Sequence, residues 1–435
     1  MNKKRTVLLL GAGAAYDWGG SKTDALTALI RKSGFYCNDN KTTITEFIFQ
    51  SLVKSGYNEK EINFETIINV IEELIIYYSS FDKNKKTPSL QKVFFESNYE
   101  EILLNFSIEG GLEKHGFKLE IPKGKPYVWE HLGAINGETP AQYFFQQLLA
   151  ILLTNINSTI SKYAYHTDRH TNILTDTNAE INTLFFSWLK SLNPDENVLR
   201  FYSLNYDRNF KILALKSGIN EIFEGFECGE TIALNIQIPA NIPRILADFD
   251  CHCHYNLHGS AFWKIEPRDE IQFTNAEIFL QGAPKFQINL DEQPYVQIEK
   301  GENILISNII TGYQKAQKGF ITPFKQMQTA FDRDCICTDD LYIIGYSFSD
   351  EHINMSIKTA LKYNSNIRIY IVDPSYDERN GKKGYDLLVN QFLKVFTHYF
   401  KNRGELNKIS DKCCQYFNGK ITVYTVGMKE FLEMQ

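Results

Sequence analysis

Residues 7–15 read Val-Leu-Leu-Leu-Gly-Ala-Gly-Ala-Ala, and this stretch decides the fold that the sequence predicts. A continuous apolar run that ends at glycine is typical of a strand buried on both faces, as in a parallel sheet. Gly11 and Gly13 allow the backbone to turn sharply and to approach a diphosphate at the start of the next helix. The stretch has an alternative interpretation as an ordinary tight turn between a strand and a helix.

Further apolar runs follow the same pattern and end in small or polar residues. Residues 198–204, 341–344 and 367–372 predict buried strands, and residues 421–426 predict a last strand before a short helix. Residues 238–253 predict extended segments. A polar segment follows this stretch and each of the three runs that end at residues 204, 344 and 372. The four segments are Asn205-Tyr206-Asp207, Leu257-His258-Gly259-Ser260, Gly345 to Asp350 and Asp373-Pro374-Ser375. Because open α/β sheets bind ligands at the carboxyl ends of their strands, these segments mark the expected site.

The region between the first two strands has apolar residues at three- and four-residue spacing, which predicts helices. The expected helices cover residues 44–55, 64–80, 141–163 and 179–192. We therefore expect an α/β fold with a Rossmann-like parallel sheet in residues 1–24 and 196–435, and a large, mainly helical insertion in residues 25–195. Residues 261–320 have low periodicity and are compatible with strands or a long loop.

Composition excludes several classes of function. The chain has 435 residues and a formal net charge of -6 at pH 7, so a basic face for direct nucleic-acid binding is not expected. Apolar runs such as residues 148–153 are far shorter than the roughly 20 residues that cross a bilayer, so we expect no membrane segment and a cytoplasmic protein. Eight cysteines in a chain of this length are expected to be free thiols.

The order of the polar segments resembles the NAD-binding pattern of the sirtuin family. The segments that carry this resemblance are Gly11-Ala12-Gly13, Asn205-Tyr206-Asp207, His258-Gly259, Gly345-Tyr346-Ser347 and Asp373. The longer phrases at residues 257–260 and 345–354 look like those of the NAD-depleting, sirtuin-like effectors of bacterial anti-phage defence systems. The resemblance spans most of the chain outside the helical insertion. It implies a sirtuin-like Rossmann domain with NAD as its substrate.

The resemblance implies catalytic roles for three residues. Asn205 and Asp207 would face the nicotinamide ribose, and His258 would be the general base, since imidazole exchanges protons near cytoplasmic pH. Each of these residues also has an ordinary structural interpretation. Asp207 is a suitable cap for a helix that begins after it, and His258 is a candidate for a core histidine with satisfied hydrogen bonds.

The resemblance implies cofactor-binding roles for a second set of residues. Gly345 and Ser347 would hold phosphate or the adenine-side ribose, and Asp373 would accept hydrogen bonds from the adenosine ribose hydroxyls. The residues expected at the diphosphate are Gly11, Ala12, Gly13 and Ala14.

Two features of the sirtuin deacylases are missing. Ala15 and residues 18–24 stand where those enzymes carry a serine and a Gly-Ile-Pro-Asp-Phe-Arg-like loop, and no Cys-x-x-Cys pair is present for a structural zinc. Alternate residues of a strand point to opposite faces, so Cys251 and Cys253 are not expected to share an ion with His252 and His254. We therefore expect no zinc and no other metal, and water is favoured over acyl-lysine as the acceptor.

The sequence leaves three functions open. The first is an NAD hydrolase that releases nicotinamide and ADP-ribose as an anti-phage, abortive-infection effector. The second is an NAD-dependent deacylase or ADP-ribosyltransferase, and the third is a non-catalytic sensor of an NAD-derived nucleotide. Because unrestrained NAD cleavage would kill the host, the first function predicts a homo-oligomer and a separately encoded activating partner, such as a HerA-type ATPase or a nucleotide-processing enzyme. Residues 25–195 are the candidate docking surface, or alternatively a plain structural cap on the site.

Overall fold

The computed structural model describes residues 3–37, 39–77, 140–166, 170–227, 238–266, 277–280, 295–299, 302–305, 308–311, 322–374 and 407–435. The strands are β1 (Lys4–Leu10), β2 (Asn197–Ser203), β3 (Ile238–Pro239), β4 (Cys253–Asn256), β5 (Trp263–Glu266), β6 (Glu277–Leu280), β7 (Tyr295–Glu299), β8 (Glu302–Leu305), β9 (Asp340–Ile344), β10 (Arg368–Val372), β11 (Asn407–Lys408), β12 (Cys413–Tyr416) and β13 (Ile421–Tyr424). The α-helices are α1 (Thr23–Arg31), α2 (Ile44–Lys54), α3 (Phe64–Tyr77), α4 (Pro140–Ala164), α5 (Ala179–Ser191), α6 (Asn209–Lys216), α7 (Ile242–Ala247), α8 (Phe324–Cys337), α9 (Glu351–Tyr363) and α10 (Met428–Glu433).

A central sheet of eight strands has the order β11-β12-β13-β10-β9-β1-β2-β4. Neighbouring strands from β13 to β4 are parallel, whereas β12 and β11 are antiparallel additions at one edge. From β1 the chain adds β2 and β4 on one side, and then β9, β10 and β13 on the other. The boundary between β1 and β9 is therefore a topological switch point, where α/β sheets bind ligands. This order confirms the predicted α/β fold with a Rossmann-like sheet.

Helices cover both faces of the sheet, because β1 alternates its side chains between two hydrophobic cores. Val7 and Leu9 belong to one core, which includes buried residues of α1 to α4, α8 and α9. Leu8 and Leu10 belong to the other core, with buried residues of α5, α6 and α10. The continuous apolar run in β1 is thus explained by burial on both sides.

Several local predictions need correction or lie outside the described residues. The stretch 238–253 was expected to be extended, but it contains the short helix α7, whose Asn241 caps the backbone NH of Arg244 at 3.0 Å. Pro243 stands in the first turn of that helix, where a missing NH costs nothing. The predicted helix 64–80 is confirmed from Phe64 to Tyr77, and residues 78–80 lie outside the described part.

A buried ion pair links the sheet to the helix layer. Arg200 on β2 is fully buried, and its Nε donates to Asp334 Oδ2 on α8 at 2.6 Å. The guanidinium holds the pKa of Asp334 below its usual range despite burial.

In the described ranges, no helix is both long enough and apolar enough to cross a membrane.

Candidate functional site

Three glycines bring the ends of β1 and β9 into backbone contact at the switch point. The Gly11 NH donates to Ile344 O at 2.9 Å, and the Gly13 NH donates to Gly345 O at 3.1 Å. A Cβ atom on Gly11 would lie 2.3 Å from Gly345 O, and one on Gly345 would lie 2.3 Å from Ala14 N. Gly345 also has a φ of +62°, in the left-handed region that favours glycine. The glycines are thus required for this close approach.

The turn after β1 leads into a 3₁₀ segment, Ala12–Trp18, rather than directly into an α-helix. The NH of Ala14 donates to Gly11 O at 3.0 Å, so the amides of Gly11, Gly13 and Ala14 all have acceptors within the protein. Ala12 is exposed and Gly13 is half-buried. The expected diphosphate contacts of this turn therefore stay a prediction, with the exposed Ala12 as its most accessible residue.

Asn205 lies at the end of β2 and is directly bonded to the glycine turn. It is 7% exposed, and its Nδ2 donates to Gly11 O at 3.1 Å. Its own carbonyl oxygen accepts from Asn256 Nδ2, at the end of β4, at 2.8 Å. Asn205 therefore joins the carboxyl ends of three neighbouring strands.

Asp207 lies further inside the protein than Asn205. Its side chain is fully buried, and Oδ1 accepts from the Asn209 NH at the start of α6 at 3.0 Å. Oδ2 accepts from the Tyr163 hydroxyl on α4 at 3.0 Å. The N-cap residue of α6 is Arg208, so Asp207 bonds the first NH of the helix from the position before the cap and is not the cap itself. Contact with a ribose stays a prediction. Burial raises the pKa of Asp207 to about 6.

His258 follows β4 in a turn whose shape is fixed by its neighbours. It is 3% exposed, and its carbonyl oxygen accepts from the Ile310 NH at 2.7 Å. Gly259 has a φ of +84°, and a Cβ there would lie 2.2 Å from Asn308 O. Glycine is therefore required at position 259, because the segment 308–311 passes too close for any other residue there.

The turn that carries His258 is also bonded to the end of β2. The Ala261 NH donates to Tyr206 O at 2.8 Å, and the Ser260 hydroxyl donates to the same oxygen at 3.1 Å. These contacts bring the Asn205 and His258 segments, which the sequence places 53 residues apart, to one edge of the sheet.

The segment Gly345 to Asp350, which follows β9, is held by its own side chains. The Tyr346 hydroxyl accepts from the Asp350 NH at 3.1 Å and lies 3.0 Å from Asn354 Oδ1. Asn354 Nδ2 donates to Phe348 O at 2.9 Å, which supports the positive φ of +58° at Phe348. The loop therefore has a defined conformation.

Two side chains at the start of α9 reach His258. His352 Nε2 lies 3.3 Å from His258 Nε2, and the ring centroids are 5.3 Å apart. A carboxylate oxygen of Asp350 lies within 4.8 Å of one ring nitrogen of each histidine. The sequence pattern gave no role to Asp350 or His352, although both stand in the segment 345–354. Their signal is the Asp-x-His spacing directly after a strand-end loop.

The helices of the first half of the chain also reach this edge. Burial raises the pKa of the Tyr206 hydroxyl, and the nearby carboxylates of Glu65 on α3 and Asp350 raise it further. Together with the Tyr163 contact to Asp207, this places parts of α3 and α4 beside the strand ends.

The remaining predicted binding residues lie on the β9 and β10 side of the edge. Ser347 is exposed, and its hydroxyl donates to Ser349 Oγ at 3.0 Å. Asp373 is 5% exposed at the end of β10, where its NH donates to Tyr424 O at 3.1 Å. Both positions suit the nucleotide half of a dinucleotide at the switch point, and their roles stay predictions.

The segment Cys251 to His254 is engaged in structural contacts. Cys251 Sγ lies 3.2 Å from Arg200 Nη1, and His252 Nδ1 accepts from the Leu199 NH at 3.0 Å. His254 is fully buried, which lowers its pKa to about 4. The other dense pair, Cys335 and Cys337, lies on helix α8, with Cys335 buried and Cys337 exposed.

The similarity of this chain to known proteins is low. No family model matches the chain, and no curated protein matches it. Among solved structures, the chain is similar to a mutant Sir2 homologue in complex with ADP-ribose, at 11% identity and a TM-score of 0.30. The match covers 91% of this chain and 94% of that one. At this TM-score the likeness carries no argument about function, which rests on the residues of the site.

Proposed function

We propose that the chain binds NAD at the switch point and uses water to cleave its bond to nicotinamide, releasing nicotinamide and ADP-ribose. The observation that carries the proposal is the direct bonding of three strand ends. Asn205 donates to Gly11 O and accepts from Asn256, and His258 stands two residues beyond Asn256. A glycine turn, an amide and an imidazole thus lie along one edge of the sheet, where α/β sheets bind nucleotides.

The residues of the site suit this reaction. Cleavage breaks the bond between ribose C1′ and the nicotinamide nitrogen, and the electron pair leaves with nicotinamide, which departs uncharged. Positive charge develops at C1′, water adds there, and His258 takes the proton that the water loses. Asn205 Nδ2 is committed to the glycine turn, so we assign the amide oxygen to orient the water without adding a charge.

We further propose that the activity serves anti-phage defence and is gated by a separately encoded partner within a homo-oligomer. The shared phrases at residues 257–260 and 345–354 support the defence role. A HerA-type ATPase or a nucleotide-processing enzyme is the proposed activator. The contact between Tyr163 and Asp207 supports a capping role for the helices of residues 25–195, so a partner that docks on them would act close to the site.

Variants of the two proposed catalytic residues test the reaction. Asn205→Ala and His258→Ala should each lower nicotinamide release by about 100-fold or more, because each removes a group that acts on the water. Release is measured by chromatography after incubation with NAD, with and without an acetylated peptide. His170→Ala is the matched control, since His170 is an exposed histidine bonded to Asn172.

Two outcomes would contradict the assignment. Near-normal release from both variants would remove Asn205 and His258 from catalysis. Release that depends on the acetylated peptide would favour a deacylase, in which the acyl group of the modified lysine, and not water, is the acceptor.

A further inference from the structure

The start of α9 reaches across the sheet to His258. In the sheet, β9 and β4 are separated by β1 and β2, so three strand spacings of about 4.8 Å each lie between them. The segment Gly345 to Asp350 covers this distance and brings His352 and Asp350 to His258. Contact over such a span requires the whole loop to hold its shape, which its internal hydrogen bonds provide.

The two imidazoles lie at hydrogen-bonding distance, and the spacing of the three side chains is also compatible with a bound metal ion. Two imidazole nitrogens bound to one tetrahedral ion at about 2.0–2.1 Å would lie about 3.3–3.4 Å from each other. The observed distance between His258 Nε2 and His352 Nε2 is 3.3 Å. The carboxylate of Asp350 completes a set of two histidines and one acid, with all ligand atoms within 4.8 Å of one another.

We propose that His258, Asp350 and His352 bind a divalent transition metal ion of the zinc class. Imidazole and carboxylate are the ligands that such ions accept, and three protein ligands leave a fourth position for water. His258 is buried, whereas Asp350 and His352 are half-buried, so the ion would enter from the α9 side. This proposal departs from the expectation of no metal, which was drawn from the cysteine segments and the missing Cys-x-x-Cys pairs.

The ion would also regulate the reaction, an extension that rests on the proposed function. We take Nε2 as the nitrogen of His258 that acts as the base. A metal held by Nε2 would occupy the lone pair that accepts the proton from water. Metal binding and NAD cleavage therefore exclude each other at His258. Such an ion would supply a gate that is built from the site's own residues.

Binding is tested first, without NAD, on untagged chain stripped of metal by a chelator. Co²⁺ titration followed by visible absorption should show one tetrahedrally coordinated ion per chain, and Zn²⁺ should displace it. Asp350→Asn and His352→Ala should each weaken Co²⁺ binding by about tenfold or more. Glu351→Gln, which changes the exposed neighbouring acid, and His170→Ala should bind as the unaltered chain does.

The outcomes separate the two proposals. Absence of Co²⁺ binding to the unaltered chain, or equal binding by His352→Ala, would overturn the metal site whether or not the chain cleaves NAD. If the site binds, Zn²⁺ should inhibit nicotinamide release by the unaltered chain much more than release by His352→Ala, each compared with its own metal-free rate. Equal inhibition of both would overturn the regulatory role and leave the proposed hydrolase intact.

Discussion

At the scale of single residues, burial decides what each polar group of the site can do. Asn205 and Asp207 are two positions apart. The carboxylate of Asp207 accepts hydrogen bonds from Asn209 and Tyr163, whereas the side chain of Asn205 donates to the glycine turn. Sequence patterns predicted both residues at a strand end. They did not separate the two roles, because the separation depends on Tyr163, which comes from a distant helix.

The raised pKa of Asp207 gives a testable dependence of stability on pH. Its pKa is about 6 in the folded chain against 3.8 for an ordinary Asp, so the folded state binds a proton more tightly than the unfolded state. Below about pH 4, Asp207 therefore does not lower the free energy of unfolding. As pH rises to about 6, ionisation of the buried carboxyl lowers the free energy of unfolding increasingly, by at most about 3 kcal/mol.

Asp207→Asn should remove this dependence, since an amide keeps an acceptor for the Asn209 NH and does not ionise. Urea unfolding of the variant and the unaltered chain is compared at pH 4, 5, 6 and 7. As pH rises from 4 to 7, the free energy of unfolding of the variant should increase relative to that of the unaltered chain. A constant difference between the two would show that Asp207 is not desolvated as described.

At the scale of elements, the turn after β4 and the turn after α2 each depend on glycine, for separate reasons. Gly259 and Gly56 both have a positive φ, +84° and +93° respectively. A Cβ on Gly259 would meet Asn308 O at 2.2 Å, whereas a Cβ on Gly56 would meet nothing within 4 Å. The two positions therefore separate backbone strain from steric contact.

Gly56→Ala should lower the free energy of unfolding by on the order of 1 kcal/mol, through strain alone. Gly259→Ala should cost clearly more and should also lower nicotinamide release, because the His258 turn must move away from Asn308. Thermal unfolding and activity are measured on both variants. Equal losses of stability would mean that the close approach to Asn308 does not hold the turn in place.

The same scale shows why some elements could be predicted and others could not. Strands β1, β2, β9 and β10 are continuous apolar runs, because helices cover both faces of the sheet. Helix α7 has only six residues, too few to show a helical period, and was expected to be extended. The contact between His258 and His352 joins residues 94 apart and depends on the loop after β9, which no local pattern specifies.

At the scale of the whole molecule, the proposed partner makes a prediction about the chain alone. An effector that waits for an activator should cleave NAD slowly when purified, and its expression alone should be tolerated by the host. Solution mass, turnover rate and growth on expression are the measurements. A monomer with rapid turnover and a toxic lone gene would contradict the gated assembly, while the catalytic assignment would stand.

The central claim is that the switch-point site cleaves NAD with water, and single-turnover cleavage tests it most directly. The metal-free chain is held in excess over NAD for a long incubation, so that even a restrained enzyme forms measurable product. We predict nicotinamide and ADP-ribose in equal amounts, formed by His258→Ala at a rate at least about 100-fold lower. Intact NAD at the end of the incubation, or an equal rate of release from His258→Ala, would contradict the claim.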